Sequence, residues 1–160
     1  MRKAQFRIRL ATDADCPAIA EVLQQSFVEY RSLYTPGGFA ATTPDAEHIC
    51  ARMPEGPVWV AVRGDAVLGT VSAVLKSESV YIRSMAVLPS AQGAGIGSAL
   101  LQQVEMWAAA QGSNRLFLNT TPFLSSAIRL YERAGFRRTE DGPHDLFGTP
   151  LFCMEKIVSR

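Results

Sequence analysis

The chain carries little excess charge of either sign. Its 16 lysines and arginines face 15 aspartates and glutamates, a formal net charge of +1, so it lacks the field that would gather nucleic acid. It also lacks the compositional bias of disorder, with 48% apolar and 19% charged residues. No stretch approaches the roughly 20 apolar residues of a membrane-spanning helix. No apolar signal core follows Arg2 and Lys3 either, so a cytoplasmic protein without membrane contact is expected. Cysteine and histidine are scarce. Cys16, Cys50 and Cys153 form no C-x-x-C pair and have no metal-ligand spacing with His48 and His144, so reduced thiols and no metal are expected. Repeats and low-complexity segments are absent. At 160 residues the expectation is one domain, residues 1–160, burying roughly two thirds of its unfolded surface.

What is present is concentrated between Tyr81 and Trp107. An apolar strand, Ile82 to Leu88, is stopped by Pro89 and followed by a glycine-rich turn. The turn opens into a segment where Leu100, Val104, Trp107 and Ala108 share one helical face. The first N–H groups of a helix have no intrahelical partner, the helix dipole adds positive potential there, and glycines remove side chains that would hold an anion away. Gly93, Gly95 and Gly97 therefore form a phosphate cradle. A P-loop is excluded because no G-x-x-x-x-G-K-[ST] string occurs, and a dinucleotide turn is disfavoured because Ser98 stands where the third glycine of G-x-G-x-x-G belongs.

The rest of the chain alternates strand and helix signals. Phe6, Ile8 and Leu10 alternate with polar residues as a first strand, and Thr12–Asp15 reads as a cap. An amphipathic helix follows, carrying Ile19, Val22, Leu23, Ser26, Phe27 and Tyr30. Residues 35–43 carry turn formers and read as a flexible connection, with a second helix from Thr43-Pro44 to about Met53. Val58–Arg63 and Ala66–Leu75 form a hairpin about Gly64-Asp65, so three antiparallel strands precede the glycine turn. The helix after that turn ends near Gly112. Arg115–Asn119 is a strand, Ser125–Ala134 a helix, and Phe136–Glu140 and Leu151–Ile157 two last strands joined by a loop over 141–149.

Two stretches carry a family resemblance. Gln92-Gly93-Ala94-Gly95-Ile96-Gly97, preceded by Met85-Ala86-Val87-Leu88-Pro89, resembles the acetyl-CoA signature Q/R-x-x-G-x-G/A of the GNAT acetyltransferase superfamily. Ala127 to Phe136, AIRLYERAGF, is similar to the family's A-x-x-L-Y-x-x-x-G-F. The element order β-α-α-β-β-β-α-β-α-β-β extends the resemblance over essentially the whole chain. It implies an α/β (α+β) fold with a mixed six- to seven-stranded sheet flanked by about four helices. It also implies acetyl-CoA as cosubstrate, with no metal. The amides of Gln92, Gly93, Ala94, Gly95, Ile96, Gly97 and Ser98 would hold its pyrophosphate. The central strand and Arg115–Asn119 would splay to admit the pantetheine arm, placing Met85, Ala86, Val87 and Asn119 beside it. Leu124 stands where members often have asparagine, so that contact is missing or taken over by Ser125 or Ser126.

Transfer of an acetyl group to an amine needs a neutral amine, a polarised carbonyl and a proton for the leaving thiolate. On the resemblance, an amide of Met85 or Val87 would meet the carbonyl oxygen and Tyr131 would be the general acid. A tyrosine near ~10 can donate to a thiolate whose thiol ionises near ~8.5. The base is open. Histone-modifying members carry a glutamate where Tyr81 stands, which leaves Glu29, Glu78, His144 or a water relay past Tyr81 and Ser84. Acceptor selection falls in this family to the first two helices, their connection and the last loop, here Tyr30, Arg31, Tyr34 and residues 35–43 with Pro143, His144 and Asp145. A small or medium amine is expected, with a carboxylate for Arg31 or Arg83 to pair with. Amino acid, polyamine, aminoglycoside-like drug and protein amine all stay open as acceptors. The rival readings are a non-catalytic coenzyme-A-binding sensor or partner domain of the same fold, against which Tyr131 argues, and a nucleotide-binding redox enzyme. A homodimer is also open, with Phe152 and Met154 of the last strand serving either an interface or the core.

Overall fold

The protein is seen in a computed structural model that describes residues 5–158; Arg2 and Lys3 lie outside them. The strands are β1 (Arg7–Leu10), β2 (Val58–Arg63), β3 (Ala66–Lys76), β4 (Ser79–Val87), β5 (Arg115–Thr120), β6 (Arg137–Arg138), β7 (His144–Leu146) and β8 (Thr149–Ile157). The helices are α1 (Cys16–Phe27), α2 (Pro36–Thr42), α3 (Ala46–Arg52), α4 (Ile96–Ala110) and α5 (Ser125–Arg133). One sheet runs β1-β2-β3-β4-β5-β8-β6, with β7 paired to β8. Its β4–β5 contact is parallel and the other pairings are antiparallel.

Alternation along β2 shows how the sheet is covered. Trp59 and Ala61 face a core shared with Leu100 and Val104 of α4, while Val60 and Val62 face Ile19, Val22 and Leu23 of α1 and Ile49 of α3. Helices thus bury both faces. Phe152 and Met154 belong to the first of these cores, at 6% and 1% exposure, which settles their alternatives in favour of the core. Phe6 and Ile8 also pack on it, whereas Leu10, at the end of its strand, is exposed.

Several local expectations are corrected. Residues 35–43 are largely helix α2. Thr35 caps it by accepting the Gly38 N–H at 3.0 Å, and Pro36 supplies a first-turn residue whose missing N–H costs nothing. Gly37 and Gly38 are there for close approach rather than for a turn. A Cβ on Gly37 would lie 2.8 Å from Phe147 Cβ, and one on Gly38 would meet Thr149 Oγ1. α3 begins at Ala46, because Asp45 rather than Thr43 accepts the N–H of His48. The loop over 141–149 contains β7, which turns into β8 through Phe147 and Gly148, both at positive φ. A phenylalanine in that conformation carries no sequence signal. The strand expected over Phe136–Glu140 shrinks to Arg137–Arg138.

The expectation of three reduced thiols is also corrected. Cys16, at the start of α1, and Cys50, in α3, are joined as a disulfide with Cα atoms 5.9 Å apart, and Cys153 is free and buried. Their 34-residue separation hides the pairing, which arises only when α3 packs on α1. Among the described residues, no helix is long and apolar enough to cross a membrane.

Candidate active site

Parallel β4 and β5 stay together only briefly. Ser79, Val80 and Tyr81 pair with Arg115, Leu116 and Phe117, and the ladder ends there although β4 runs on to Val87 and β5 to Thr120. On its other edge β4 bulges. Thr70 pairs with Ala86 and Ser72 with Arg83, so Ser84 and Met85 stand together opposite Val71, and Ser84 takes φ 54° to make room. The result is a wedge whose wall contains backbone that neither neighbour holds in register.

Two cavities meet in this wedge. The first, about 390 Å³, lies between the glycine turn, the open half of β4 and helix α5. Gly93 and Gly95 adopt φ 88° and 85°, and a Cβ at either would meet nothing within 4 Å. Gly95 is the N-cap of α4 and contributes no side-chain cap, which leaves the amides of Ile96, Gly97 and Ser98 to an incoming acceptor. A Cβ on Gly97 would come 2.7 Å from Leu130 Cδ2, so this glycine lets α4 and α5 close on each other. Uncapped amides, left-handed glycines and open space above them fit a phosphate. Arg133, on the rim, pairs with no carboxylate among the described residues and adds a cation.

The second cavity, about 330 Å³, opens between the separated strands and is closed by α2, α3 and the β7–β8 hairpin. Phe27, Met85, Leu124, Ala127 and Tyr131 line both cavities and form their junction. Tyr131 is 8% exposed, and burial, with a smaller contribution from Tyr34, raises its hydroxyl pKa to about 12. Burial raises Tyr34 as well, and it lowers Arg52, whose charge is further opposed by Arg83. Asn119 Oδ1 is buried at the wall without a hydrogen-bond partner among the described residues.

A phosphate cradle, a wedge between parallel strands and a buried tyrosine at their meeting point agree with one family model, the Acetyltransferase (GNAT) family, which matches residues 19–136. The chain belongs to the GNAT acetyltransferase family. It is 32% identical to the uncharacterized N-acetyltransferase YjgM of Escherichia coli (strain K12), over 83% of each chain. It is 31% identical to an aminoglycoside N(6')-acetyltransferase type 1 of Stenotrophomonas maltophilia, over 86% of this chain and 79% of that one. Among solved structures, YncA of Salmonella typhimurium, a putative acetyltransferase with its cofactor acetyl-CoA, superposes with a TM-score of 0.72. That match has 25% identity and covers 97% of this chain and 95% of the other.

Most residues singled out from the GNAT motifs gather at these cavities. Met85, Ala86 and Val87 of β4 and Gln92, Gly93 and Gly95 of the turn line the first. So do Ile96, Gly97 and Ser98 of α4 and Ser126 of α5. Ala94, on the crest of the turn, does not, and Asn119 lines the second cavity instead. Beside Leu124 it is Ser126, not Ser125, that reaches the first cavity. Tyr81, Ser84, Tyr34 and Arg83 line the second. Tyr30 falls on the first, and Arg31 lines neither, lying over the Phe39 ring at 5.3 Å. Glu29, Glu78 and His144 line neither; His144 lies 3.5 Å from Asp141. Sequence reasoning missed Arg52, the last residue of α3. Only the packing of that helix carries it to the groove.

Proposed function

We propose that this enzyme transfers the acetyl group of acetyl-CoA to a primary amine of a small-molecule, peptide or protein acceptor, by direct attack with both substrates bound together. The observation that carries the reading is the junction, where a cradle suited to phosphate and a separate groove share Tyr131 and Met85. The acetyl-CoA bound to the Salmonella relative supports the same donor here. Acetyl-CoA supplies an acyl thioester; the chain supplies position and protons.

Amides of Ile96, Gly97 and Ser98 hold the pyrophosphate, with Gly93 and Gly95 leaving it room. The Met85 amide, displaced from the ladder by the bulge, donates to the thioester carbonyl oxygen. It suits this role better than Val87, which is paired with Gly69. Tyr131 donates its proton to sulfur as the C–S bond breaks and the N–C bond forms. The proton lost from nitrogen leaves through water past Tyr81 and Ser84, because among the described residues no carboxylate or histidine lines the second cavity.

The test is acetyl-CoA turnover over a panel of primary amines, followed by loss of thioester absorbance so that protein thiols do not interfere. Turnover with one amine class, slowed by Tyr131→Phe, is expected. Acetyl-CoA binding too weak to saturate at millimolar concentration would overturn the reading.

A further inference from the structure

The groove assigned to the acceptor is electrostatically one-sided. Arg52 from α3 and Arg83 from β4 both line it, and among the described residues no aspartate, glutamate, lysine or histidine does. The two guanidiniums share a single nearby carboxylate. Glu55 Oε1 accepts from Arg83 at 2.6 Å, while Arg52 reaches only Ser84 Oγ, at 3.4 Å, and forms no ion pair among the described residues. Arg83 keeps a further donor, Nε, buried with no hydrogen-bond partner among the described residues. Burial and the neighbouring guanidinium both work against the charge on Arg52.

A half-buried cation with unspent donors beside a second cation is unfavourable unless an anion joins it. A cation at the end of α3 would answer the helix dipole equally well from the solvent side, so the dipole does not account for its place in a cavity. The planar forks of two arginines match a carboxylate. Both line the second cavity and not the first, so an anion held there leaves the other end of a short molecule to reach the thioester. Asn119 Oδ1, buried and unpartnered among the described residues, lines the same cavity from β5 and is an acceptor for an N–H. At about 330 Å³ the groove is at the small end of ligand sites.

We propose that the acceptor is a small amine that carries a carboxylate, an amino acid or a compound of that chemistry, with its carboxylate clasped by Arg52 and Arg83. This rests on the preceding reading that the second cavity holds the acceptor. It selects among amines in a definite way. Polyamines and aminoglycosides would bring positive charge to two guanidiniums and are disfavoured, although one relative is named for an aminoglycoside.

Two measurements decide it. In the first, turnover of acetyl-CoA is compared across free amino acids, their carboxamides, spermidine and kanamycin. Free acids are expected to exceed their carboxamides in kcat/KM by tenfold or more. Arg52→Gln should remove that preference through KM, Arg52→Lys should restore part of it, and Arg31→Gln, outside both cavities, should leave it intact. In the second, the CoA-saturated protein is titrated calorimetrically with N-acetyl amino acids and with their carboxamides, which needs no turnover. Binding of the acids, weakened tenfold or more by Arg52→Gln, supports the carboxylate clasp even if transfer is never seen. Equal use or equal binding of acids and carboxamides, or preference for spermidine or kanamycin, overturns it while leaving acetyl transfer standing.

Discussion

Tyr131 shows how much one side chain depends on its surroundings. Burial penalises the phenolate, so its pKa rises from 10.0 to about 12 and the neutral, proton-bearing form persists through the alkaline range. A donor of this kind is not exhausted where its substrate becomes reactive. An amine acceptor ionises near ~10.4, and kcat/KM should climb with pH as it deprotonates. Over pH ~7 to ~11 the expected profile is a rising limb, with no fall owing to this hydroxyl. A falling limb centred near ~10 would mean that Tyr131 is not the donor or is not buried during turnover. Tyr131→Phe should lower kcat by roughly a hundredfold or more, the usual worth of a positioned acid. Steady-state kinetics with the wild type and the variant over pH 7 to 11 checks both.

At the scale of elements, the glycine turn was legible because its chemistry is local. Left-handed backbone, an uncapped helix start and a preceding strand are written in consecutive residues, and Gly93 and Gly95 take the positive φ that this predicts. Gly95→Ala meets no atom, so its cost is conformational. It should lower stability by about 1–2 kcal/mol and raise KM for acetyl-CoA several-fold, measured by urea unfolding and saturation kinetics. An unchanged KM would place the phosphate elsewhere. Long-range packing was not legible. Gly37 and Gly38 read as a flexible loop, yet they are helical because Phe147 and Thr149 press against them from more than a hundred residues away. The β7–β8 turn stayed hidden because Phe147 occupies a position where glycine or asparagine is the usual signal. Arg52 was missed for the same reason, since nothing in its own neighbourhood says which wall α3 will present.

For the whole molecule, one corner is fastened twice. Arg9 of β1 donates to both oxygens of Asp15, at 2.8 and 2.9 Å, and Asp15 in turn accepts the Thr12 N–H. The guanidinium holds the Asp15 carboxyl at about 2, below its ordinary 3.8. A depressed folded pKa contributes stability above the unfolded value and loses it as pH falls from about 4 towards 2. Urea midpoints should therefore decline over that window, and less steeply in Asp15→Asn. Directly beyond Asp15, the Cys16–Cys50 bridge ties α1 to α3, the two helices that bring Phe27 and Arg52 to the acceptor groove. Closing a loop with a sequence separation of 34 removes unfolded-state freedom worth about 3–4 kcal/mol, so reduction or Cys50→Ser should lower unfolding stability by that order. Because α3 carries Arg52 while the phosphate cradle lies on α4, the same change should raise KM for the amine more than KM for acetyl-CoA. Thiol titration in denaturant without reductant should find one reactive cysteine, Cys153, of the three in the chain. Three reactive thiols would show that α3 is held on α1 by packing alone, and reductant should then change neither stability nor KM.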